Sequence, residues 1–264
     1  MFIACTKLNI TLKEDNRLNF VEMVSVCIIT YNGEKYIEQQ LKSILEQLSV
    51  DDEVIISDDS STDSTIAIIE SFNDSRIILL KNNVFHSPTY NMENALKYAK
   101  GHYIFLADQD DEWLQGRVGK VLDLFVRYPD ISLIVCKCNI IDATGNIVKN
   151  SNCKDFTFLN HALLWNLLQN PYRGCCMAFQ KNILDFALPF PENTVMHDIW
   201  IGLLAQFNGK CLYYNKPLIN YRRHDSNITK DISPYSLYYR IYYRVLLLIR
   251  LFYRSWKIKL KISF

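Results

Sequence analysis

Short apolar runs alternate with helix-like segments along the first 108 residues. Four runs rich in β-branched and aliphatic residues are typical of buried strands, and the segments between them place apolar residues at helical spacing. The third helical segment also has recognisable ends, with Ser87 and Pro88 at its start and Gly101 beyond its finish. Strands that alternate with helices predict a mostly parallel sheet with helices on both faces. The predicted strands are 23–30, 53–57, 76–80 and 102–107.

Beyond residue 113 the pattern is less regular but contains both element types. No internal repeat and no Pro/Gly/Ser-rich linker divides this part of the chain. The predicted helices are 117–129, 158–168 and 198–209, and the predicted strands are 131–142, 173–179, 210–215 and 217–224.

The chain as a whole reads as one α/β domain with two appendages. We predict an N-terminal extension of doubtful role at 1–22, the domain at 23–230 and a tail at 231–264. The apolar fraction of 49% is enough for a sizeable core. The eight cysteines form no CxxC pair and no zinc spacing, so we expect buried reduced thiols in a cytosolic protein. Neither a signal peptide nor an 18-residue apolar run is evident.

The tail carries an unusual share of the positive charge. The net charge of the 264 residues is +1, but residues 235–264 contain seven Lys or Arg and no Asp or Glu, which leaves 22 basic and 28 acidic residues elsewhere. On a helical projection six of the cations fall within about 140°, and aromatic and aliphatic residues fill the rest. We therefore expect an amphipathic helix on the inner face of the cytoplasmic membrane. Packing on the domain or on a second subunit is the alternative.

Polar loops follow three of the predicted strands. They are "TYNGE" at 30–34, "SDDSSTD" at 57–63 and "ADQDDEW" at 107–113. Because ligands of open α/β sheets bind at the carboxyl ends of the strands, these loops predict one site. No loop matches GxGxxG or GxxxxGK[ST], so dinucleotide and Walker-type phosphate sites are disfavoured.

The carboxylates of Asp108 and Asp110 suit a hard divalent cation, Mg²⁺ or Mn²⁺, which would in turn hold a diphosphate. A lone D-x-D is more often a solvated turn or a helix cap. The acidic residues at 58–63 can likewise cap a helix, and so can Asp198 before an apolar helix.

The order of four segments resembles the family-2 glycosyltransferases with the GT-A fold. The segments are "VSVCIITYNGEKYIEQQLKSILEQ", "VIISDDSSTDST", "GHYIFLADQDDEW" and "MHDIWIGLLAQFNG". The variants "DQDDEW", "HDIW" and "YRRHDSN" resemble a bacterial branch that includes rhamnosyltransferases of O-antigen and capsule assembly. The chain departs from the family pattern at Ser60, where glycine is frequent, and at Val84, where a glycine often follows the two asparagines.

The resemblance implies a role for each matching residue. Asp198 matches the catalytic base, and Asp108 and Asp110 match the metal site, with Asp108 also near the ribose. Asp59 would accept the N3–H of uracil or thymine, next to a first loop of Thr30, Tyr31, Asn32 and Glu34. The resemblance also implies sugar or acceptor platforms at Trp113 and Trp200, for which burial in the core is the alternative, and closure over the diphosphate by Arg222, Arg223 and His224.

Together these features predict an inverting transferase that uses a UDP- or dTDP-sugar, such as dTDP-rhamnose, and a glycan or lipid-linked acceptor. The chemistry needs one base and one metal, since the cation stabilises the leaving diphosphate and a carboxylate takes the proton of the acceptor hydroxyl. Two rivals are a sugar nucleotidyltransferase, which normally has a Gly-rich basic first loop, and a catalytically silent nucleotide-sugar-binding subunit. Nucleic-acid binding by the tail is a weaker possibility.

Overall fold

The computed structural model describes residues 22–149, 163–225, 227 and 236–262. The predicted N-terminal extension and the boundary near residue 230 lie outside these residues. The first half contains β1 (Val24–Thr30), α1 (Ile37–Leu45), β2 (Glu53–Asp58), α2 (Thr65–Ser71), β3 (Ile77–Leu80), α3 (Pro88–Tyr98) and β4 (Tyr103–Asp108). The second half contains β5 (Glu112–Trp113), α4 (Arg117–Arg127), β6 (Ile131–Ile141), β7 (Ile147–Lys149), α5 (Leu163–Gln169), β8 (Met177–Gln180), α6 (Ile183–Ala187), α7 (His197–Asn208), β9 (Lys210–Arg222) and α8 (Leu237–Ile262).

One nine-stranded sheet runs through the molecule in the order β3-β2-β1-β4-β8-β6-β9-β5, and β7 pairs with β6. The first four of these strands are parallel, as the sequence predicts. The register sets Thr30 beside Asp58 and Ile29 beside Asp108. Three polar loops therefore leave the sheet at the same edge, as the sequence predicts.

The second half of the sheet mixes strand directions. β8 is antiparallel to both β4 and β6, whereas β9 is parallel to β6. The two strands predicted at 210–215 and 217–224 are one strand, β9, whose register shifts where Lys137 faces Pro217. Proline cannot donate to a ladder, and an irregularity in the pairing accommodates it. The strand predicted at 173–179 begins only at Met177, because residues 174–176 form a 3₁₀ turn.

Helix α8 packs one face on α6 and α7 through buried Leu247 and Leu251. Two of its arginines also face the domain. Arg244 donates to the carbonyls of Leu167 and Leu168 at the end of α5, and Arg254 donates to those of Leu188 and Pro189 after α6. Arginines at these positions satisfy carbonyls that helix ends leave without partners.

The outward face of α8, among the side chains that the structure describes, is mainly apolar and aromatic. The large side chains that are more than half exposed are Tyr238, Ile241, Tyr242, Val245, Ile249, Phe252, Tyr253 and Trp256. They fall within about 120° of a helical projection. The tail is thus amphipathic, as predicted, but Arg244 and Arg254 are oriented toward the domain, where carbonyls attract them. Of the helices that the structure describes, none is long and apolar enough to cross a membrane.

Candidate active site

Gln109, the middle residue of the D-x-D, joins the first and third loops of the crevice. Its side-chain carbonyl accepts the backbone N–H of Tyr31 at 2.8 Å, and its amide donates to the Tyr31 carbonyl at 3.0 Å. A Cβ at Gly33 would collide with this side chain. The pair of bonds mimics a strand ladder, so the two loops are held in one arrangement. The sequence motif gave no role to this residue, because its partner is 78 positions away.

The first and second loops are joined in a similar way. Thr30 Oγ1 donates to Asp58 Oδ2 at 2.7 Å, and Asn32 Oδ1 accepts the backbone N–H of Thr62 at 2.8 Å. Asn32 adopts a φ of 47°, a left-handed conformation that asparagine tolerates. Glu34 accepts a backbone N–H at the start of α2. The structure therefore brings the predicted first-loop residues to the second loop.

Asp59 is buried beside these residues and organises the segment before α3. Its two oxygens accept the backbone N–H groups of Phe85, at 2.6 Å, and Ser87, at 3.2 Å. Its own N–H donates to the carbonyl of Thr30. Since a carboxylate offers about four acceptor positions, Asp59 keeps capacity for one more donor. The Tyr31 ring, 55% exposed, lies on the same loop system.

Three carboxylates gather at the end of β4. Asp110 Oδ2 lies 2.9 Å from Nε2 of His224, and Asp111 Oδ1 accepts the backbone N–H of Arg222 at 3.0 Å. Burial, followed by the charges of Asp110 and Asp198, raises the pKa of Asp108 to about 7. Burial also raises the pKa of Asp111 well above its usual range. The cluster therefore resists carrying its full negative charge without a cation.

The side-chain types of this cluster suit a divalent cation. Oxygens from Asp108 and Asp110 and the ring nitrogen of His224 are ligand types that Mn²⁺ accepts, and Mg²⁺ favours the oxygens. The buried Oδ2 of Asp111 has no hydrogen-bond partner among the described residues. A second grouping, Asp108, Asp111 and the Cys175 thiol, lies within 4.8 Å, but sulfur is a poor ligand for these hard ions. The D-x-D carboxylates with His224 are the better candidates.

Asp198 lies at the first turn of α7, close to the acidic cluster. Its carboxylate accepts the N–H of Ile199 at 2.7 Å and the backbone N–H of Gly174. Burial raises its pKa to about 6, although these hydrogen bonds oppose the shift. The charge of Asp198 acts on Asp108, so the predicted base and the predicted metal ligand share one crevice. Asp198 accepts helix N–H groups and also has the pKa that suits a general base near neutral pH.

Arg222 does not have the role that the sequence predicts for it. Its side chain is 2% exposed and donates to the carbonyl of Asp110 at 2.9 Å and to Gln39 at 3.0 Å, over the ring of Tyr36. These contacts connect β9 to α1 and to the acidic loop, so the role of the guanidinium is structural. The prediction of diphosphate closure is wrong for Arg222. Its neighbour Arg223 remains partly exposed beside the Tyr221 ring.

Neither predicted tryptophan platform is available to a sugar. Trp113 is 3% exposed, and the guanidinium of Arg117 lies over it, 4.4 Å from the centroid of the Trp113 ring. Trp200 is fully buried and donates from Nε1 to the carbonyl of Ala187 at 3.1 Å. Both belong to the core, which was the alternative interpretation, because their large apolar rings gain more from burial than from solvent contact.

Arg173 lies in this crevice, although no sequence motif identified it. Its guanidinium stacks 4.5 Å from the centroid of the Tyr221 ring and donates to Cys138 Sγ at 3.0 Å. Its charge lowers the pKa values of both Asp108 and Asp198, against the stronger effect of burial. The segment "RGCCMAF", predicted to run near the acidic cluster, was the available signal.

A layer of thiols lies beneath the carboxylates. Cys176 has side-chain hydrogen bonds with Cys136, Cys138 and Cys175, and Cys175 bonds to Asp111. The six cysteines that the structure describes are all buried and form no disulfide with one another, as expected for reduced thiols.

Comparisons with known proteins agree with this geometry. A family model described as Glycosyl transferase family 2 matches residues 25–185. The Escherichia coli UDP-Glc:alpha-D-GlcNAc-diphosphoundecaprenol beta-1,3-glucosyltransferase WfaP is 43% identical in an alignment of 220 residues that covers 71% of this chain and 85% of that protein. The Shigella flexneri dTDP-rhamnosyl transferase RfbG is 41% identical in an alignment of 219 residues that covers 75% of this chain and 72% of that protein.

A solved structure has the same fold. The crystal structure of S. aureus TarS 1–349 in complex with UDP-GlcNAc superposes with a TM-score of 0.68 at 21% identity, covering 86% of this chain and 66% of that one. The match covers most of the chain, so the predicted GT-A fold is confirmed. The chain belongs to glycosyl transferase family 2 and is a glycosyltransferase.

Proposed function

We propose that this glycosyltransferase moves a sugar, with inversion, from a UDP- or dTDP-linked donor to a lipid-linked or glycan acceptor of a bacterial surface polysaccharide. The observation that carries the proposal is that Asp198 lies near enough to Asp108, at the end of β4, for its charge and that of Asp110 to raise the pKa of Asp108. The names of the relatives WfaP and RfbG specify UDP-glucose and dTDP-rhamnose donors, and that of WfaP specifies a diphosphoundecaprenol acceptor. We assign the catalytic domain to residues 23–230.

The loops after β1 and β2 would bind the nucleotide. Asp59 is buried, is fixed by two backbone donors and can still accept the N3–H of uracil or thymine. Tyr31 offers an exposed ring on the loop that Gln109 holds, and Thr30, Asn32 and Glu34 fix the backbone of that loop. A preorganised loop of this kind lowers the entropic cost of binding.

A divalent cation, Mg²⁺ or Mn²⁺, would be held by Asp108, Asp110 and His224. Such a cation supplies electrostatic stabilisation to the diphosphate that departs from the anomeric carbon. Asp198 takes the proton of the attacking acceptor hydroxyl, and its pKa of about 6 keeps most of it ionised at neutral pH. Arg223, partly exposed next to His224, is the remaining arginine of the predicted closing segment.

We further propose that the enzyme acts at the inner surface of the cytoplasmic membrane, where it binds through residues 235–264. The outward face of α8 supports this, because aromatic and aliphatic side chains of this density are typical of helices that enter the lipid interface. Helix α8 packs on α7, and the first turn of α7 carries Asp198, so one helix connects the proposed membrane surface to the site.

The test is metal-dependent release of nucleoside diphosphate from a panel of nucleotide sugars. We expect release with one UDP- or dTDP-sugar and Mn²⁺ or Mg²⁺, and its loss in EDTA and in Asp110→Asn. Asp123→Asn, an exposed carboxylate on α4, is the matched control and should retain activity. Full turnover in EDTA would contradict the metal assignment. Donor binding without any turnover would favour the silent subunit, and formation of a nucleotide sugar from a sugar phosphate would favour the nucleotidyltransferase.

A further inference from the structure

We infer that Asp108, Asp111 and Cys175 form a second cation site, which selects Zn²⁺ over Mg²⁺ and Mn²⁺ and competes with the D-x-D for Asp108. One ligand atom from each of these three side chains lies within 4.8 Å of the other two. The set differs from the proposed Mn²⁺ ligands, because it includes a sulfur and omits Asp110 and His224. It therefore suits a different metal.

Asp111 has one carboxylate oxygen available for such an ion. Its Oδ1 accepts the backbone N–H of Arg222 at 3.0 Å, which fixes the carboxylate. Its Oδ2 is buried and has no hydrogen-bond partner among the described residues, and the whole side chain is 0% exposed. An unsatisfied carboxylate oxygen in a buried position is costly, so a ligand that binds this oxygen would stabilise the site.

Cys175 is held in place from behind. Arg117, itself 1% exposed, donates to the carbonyl of Cys175 at 2.8 Å, and the Cys176 side chain bonds to that of Cys175. The Cys175 thiol also interacts with Asp111. That interaction does not oppose metal binding, because a cation takes the place of the thiol proton between the two groups. Supporting contacts of this kind orient metal ligands in proteins.

The donor set selects Zn²⁺ among the divalent cations. Zn²⁺ binds both thiolate sulfur and carboxylate oxygen, commonly with three protein ligands and one open position, whereas Mg²⁺ requires oxygen ligands in an octahedron. Ligand atoms around a tetrahedral Zn²⁺ are about 3.3–3.8 Å apart, so small side-chain rotations bring this set to binding distance. The Cys175 thiol releases its proton to solvent as the bond to the metal forms.

The position of Asp108 makes the two sites mutually exclusive. Asp108 is partly exposed to the crevice, whereas Asp111 and Cys175 are buried, so an ion reaches the inner site past Asp108. A Zn²⁺ bound there withdraws Asp108 from the D-x-D. Zn²⁺ therefore excludes Mn²⁺ from the crevice instead of binding beside it.

The experiment uses Co²⁺ as a spectroscopic substitute for Zn²⁺, because a bond from Co²⁺ to a thiolate adds a charge-transfer band that oxygen and nitrogen ligands do not give. Full-length wild type, Cys175→Ser, His224→Gln and the buried-thiol control Cys211→Ser are titrated without nucleotide. We expect the band in every protein except Cys175→Ser, and we expect Zn²⁺ to abolish it. The Kd for Zn²⁺, from this competition, should rise at least about 10-fold in Cys175→Ser, the cost of losing even an indirect partner of a metal.

Electron paramagnetic resonance of Mn²⁺ gives the reciprocal measurement. We expect Zn²⁺ to displace bound Mn²⁺ from the wild type. His224→Gln should weaken Mn²⁺ binding, whereas Cys175→Ser should change the Kd for Mn²⁺ by less than about 3-fold, since sulfur contributes little to a hard ion. This opposite pattern in the two variants separates the inner site from the D-x-D.

Several outcomes would overturn the inference. They are the absence of the band in the wild type, a band that persists in Cys175→Ser, loss of Zn²⁺ affinity in His224→Gln alone, and simultaneous binding of Zn²⁺ and Mn²⁺. Circular dichroism checks the fold of each variant, and Cys175→Ala replaces Cys175→Ser if the buried hydroxyl unfolds the protein. None of these results depends on a nucleotide sugar. The proposed function fails separately, if Mn²⁺ supports no release of nucleoside diphosphate from any donor.

Discussion

Asp108, Asp111 and Asp198 share one property at the scale of single residues, because burial raises the pKa of each. A fold selected for stability alone would separate such carboxylates or pair each with a cation. Perturbed carboxylates grouped in a crevice are instead typical of functional sites. A divalent cation that binds among them would relieve their mutual repulsion. The crowding of the carboxylates would therefore increase the affinity of the site for the metal.

The pKa of Asp198 predicts the pH dependence of sugar transfer. A base must be ionised to accept a proton, so transfer should increase with pH through about 6 and level off above it. The measurement is kcat against pH at saturating donor, acceptor and Mn²⁺. An acidic limb centred below about pH 4.5 would contradict the assignment, because it would match an ordinary carboxyl group.

Replacement of Asp198 by Asn should separate activity from stability. The pKa of Asp198 is raised from 3.8 in the unfolded chain to about 6, so its contribution to stability is complete below about pH 4 and is lost as pH rises through 6. Asn carries no charge, and we expect Asp198→Asn to lower kcat at least about 100-fold while its Tm at about pH 8 equals or exceeds that of the wild type. A wild-type Tm clearly above that of Asp198→Asn at that pH would identify Asp198 as mainly a helix cap.

The two arginines of the crevice show where sequence reasoning succeeds and fails at this scale. From the motif "YRRH" we predicted cations near the diphosphate. In the structure Arg222 instead donates to carbonyls of two loops that are distant in sequence and meet only in the fold. Arg173 reaches the site from a segment that no motif marked. Burial of polar groups depends on tertiary neighbours, and one sequence contains no record of them.

At the scale of elements, the loops after β1, β2 and β4 act as one unit. Gln109 joins the first and third loops with two hydrogen bonds, and Asn32 and Thr30 join the first and second. The loops were predicted from their polar residues at strand ends. The hydrogen bonds that connect the loops were not predicted, because nothing in the sequence distinguishes the glutamine of the D-x-D from a solvated one.

Gln109→Glu tests this connection. Glutamate keeps the acceptor toward the Tyr31 N–H but loses the donor toward the Tyr31 carbonyl, and it places a fourth negative charge in the cluster. Since one exposed hydrogen bond is worth about 0.5–1.5 kcal/mol, we expect the Kd for the nucleoside diphosphate to rise about 3- to 10-fold. Isothermal titration calorimetry with and without Mn²⁺ measures this. Gln47→Glu, at the end of α1, is the control, and equal weakening in both variants would contradict a specific role.

The contacts of helix α8 predict a mode of membrane binding that differs from the electrostatic one that its charges suggest. Since Arg244 and Arg254 bind carbonyls of the domain, membrane binding through the outward face should depend mainly on apolar burial. Ile249→Glu and Trp256→Glu should each weaken vesicle binding about tenfold or more, with little change between low and high salt. Co-sedimentation measures this, and Val126→Glu, an exposed apolar residue on α4, is the control. Strong loss of wild-type binding in high salt would instead favour the electrostatic interpretation.

At the scale of the whole molecule, the parallel half of the sheet was predictable and the mixed half was not. Largely buried strands such as β1 and β2 contain short apolar runs, and that pattern is local in sequence. The pairing of β9 with β6 and β5 is set by contacts 70 to 110 residues apart and by an irregularity around Pro217. The direction and partner of a strand depend on such distant contacts, whereas its existence depends on local ones.

The buried thiols under the carboxylates can be used to measure opening motions of the enzyme by chemical labelling. Cys136, Cys138, Cys175 and Cys176 are buried, so an alkylating reagent can reach them only while the floor of the crevice is transiently exposed. Peptide-resolved labelling with iodoacetamide would then give the frequency of that opening without any engineered probe. Donor and Mn²⁺ together should slow the labelling of Cys175, which bonds to Asp111, more than that of Cys211 on β9. Uniform slowing at every site would mean that the domain opens only as a whole, and a rate that ligands leave unchanged would mean that they do not stabilise the floor.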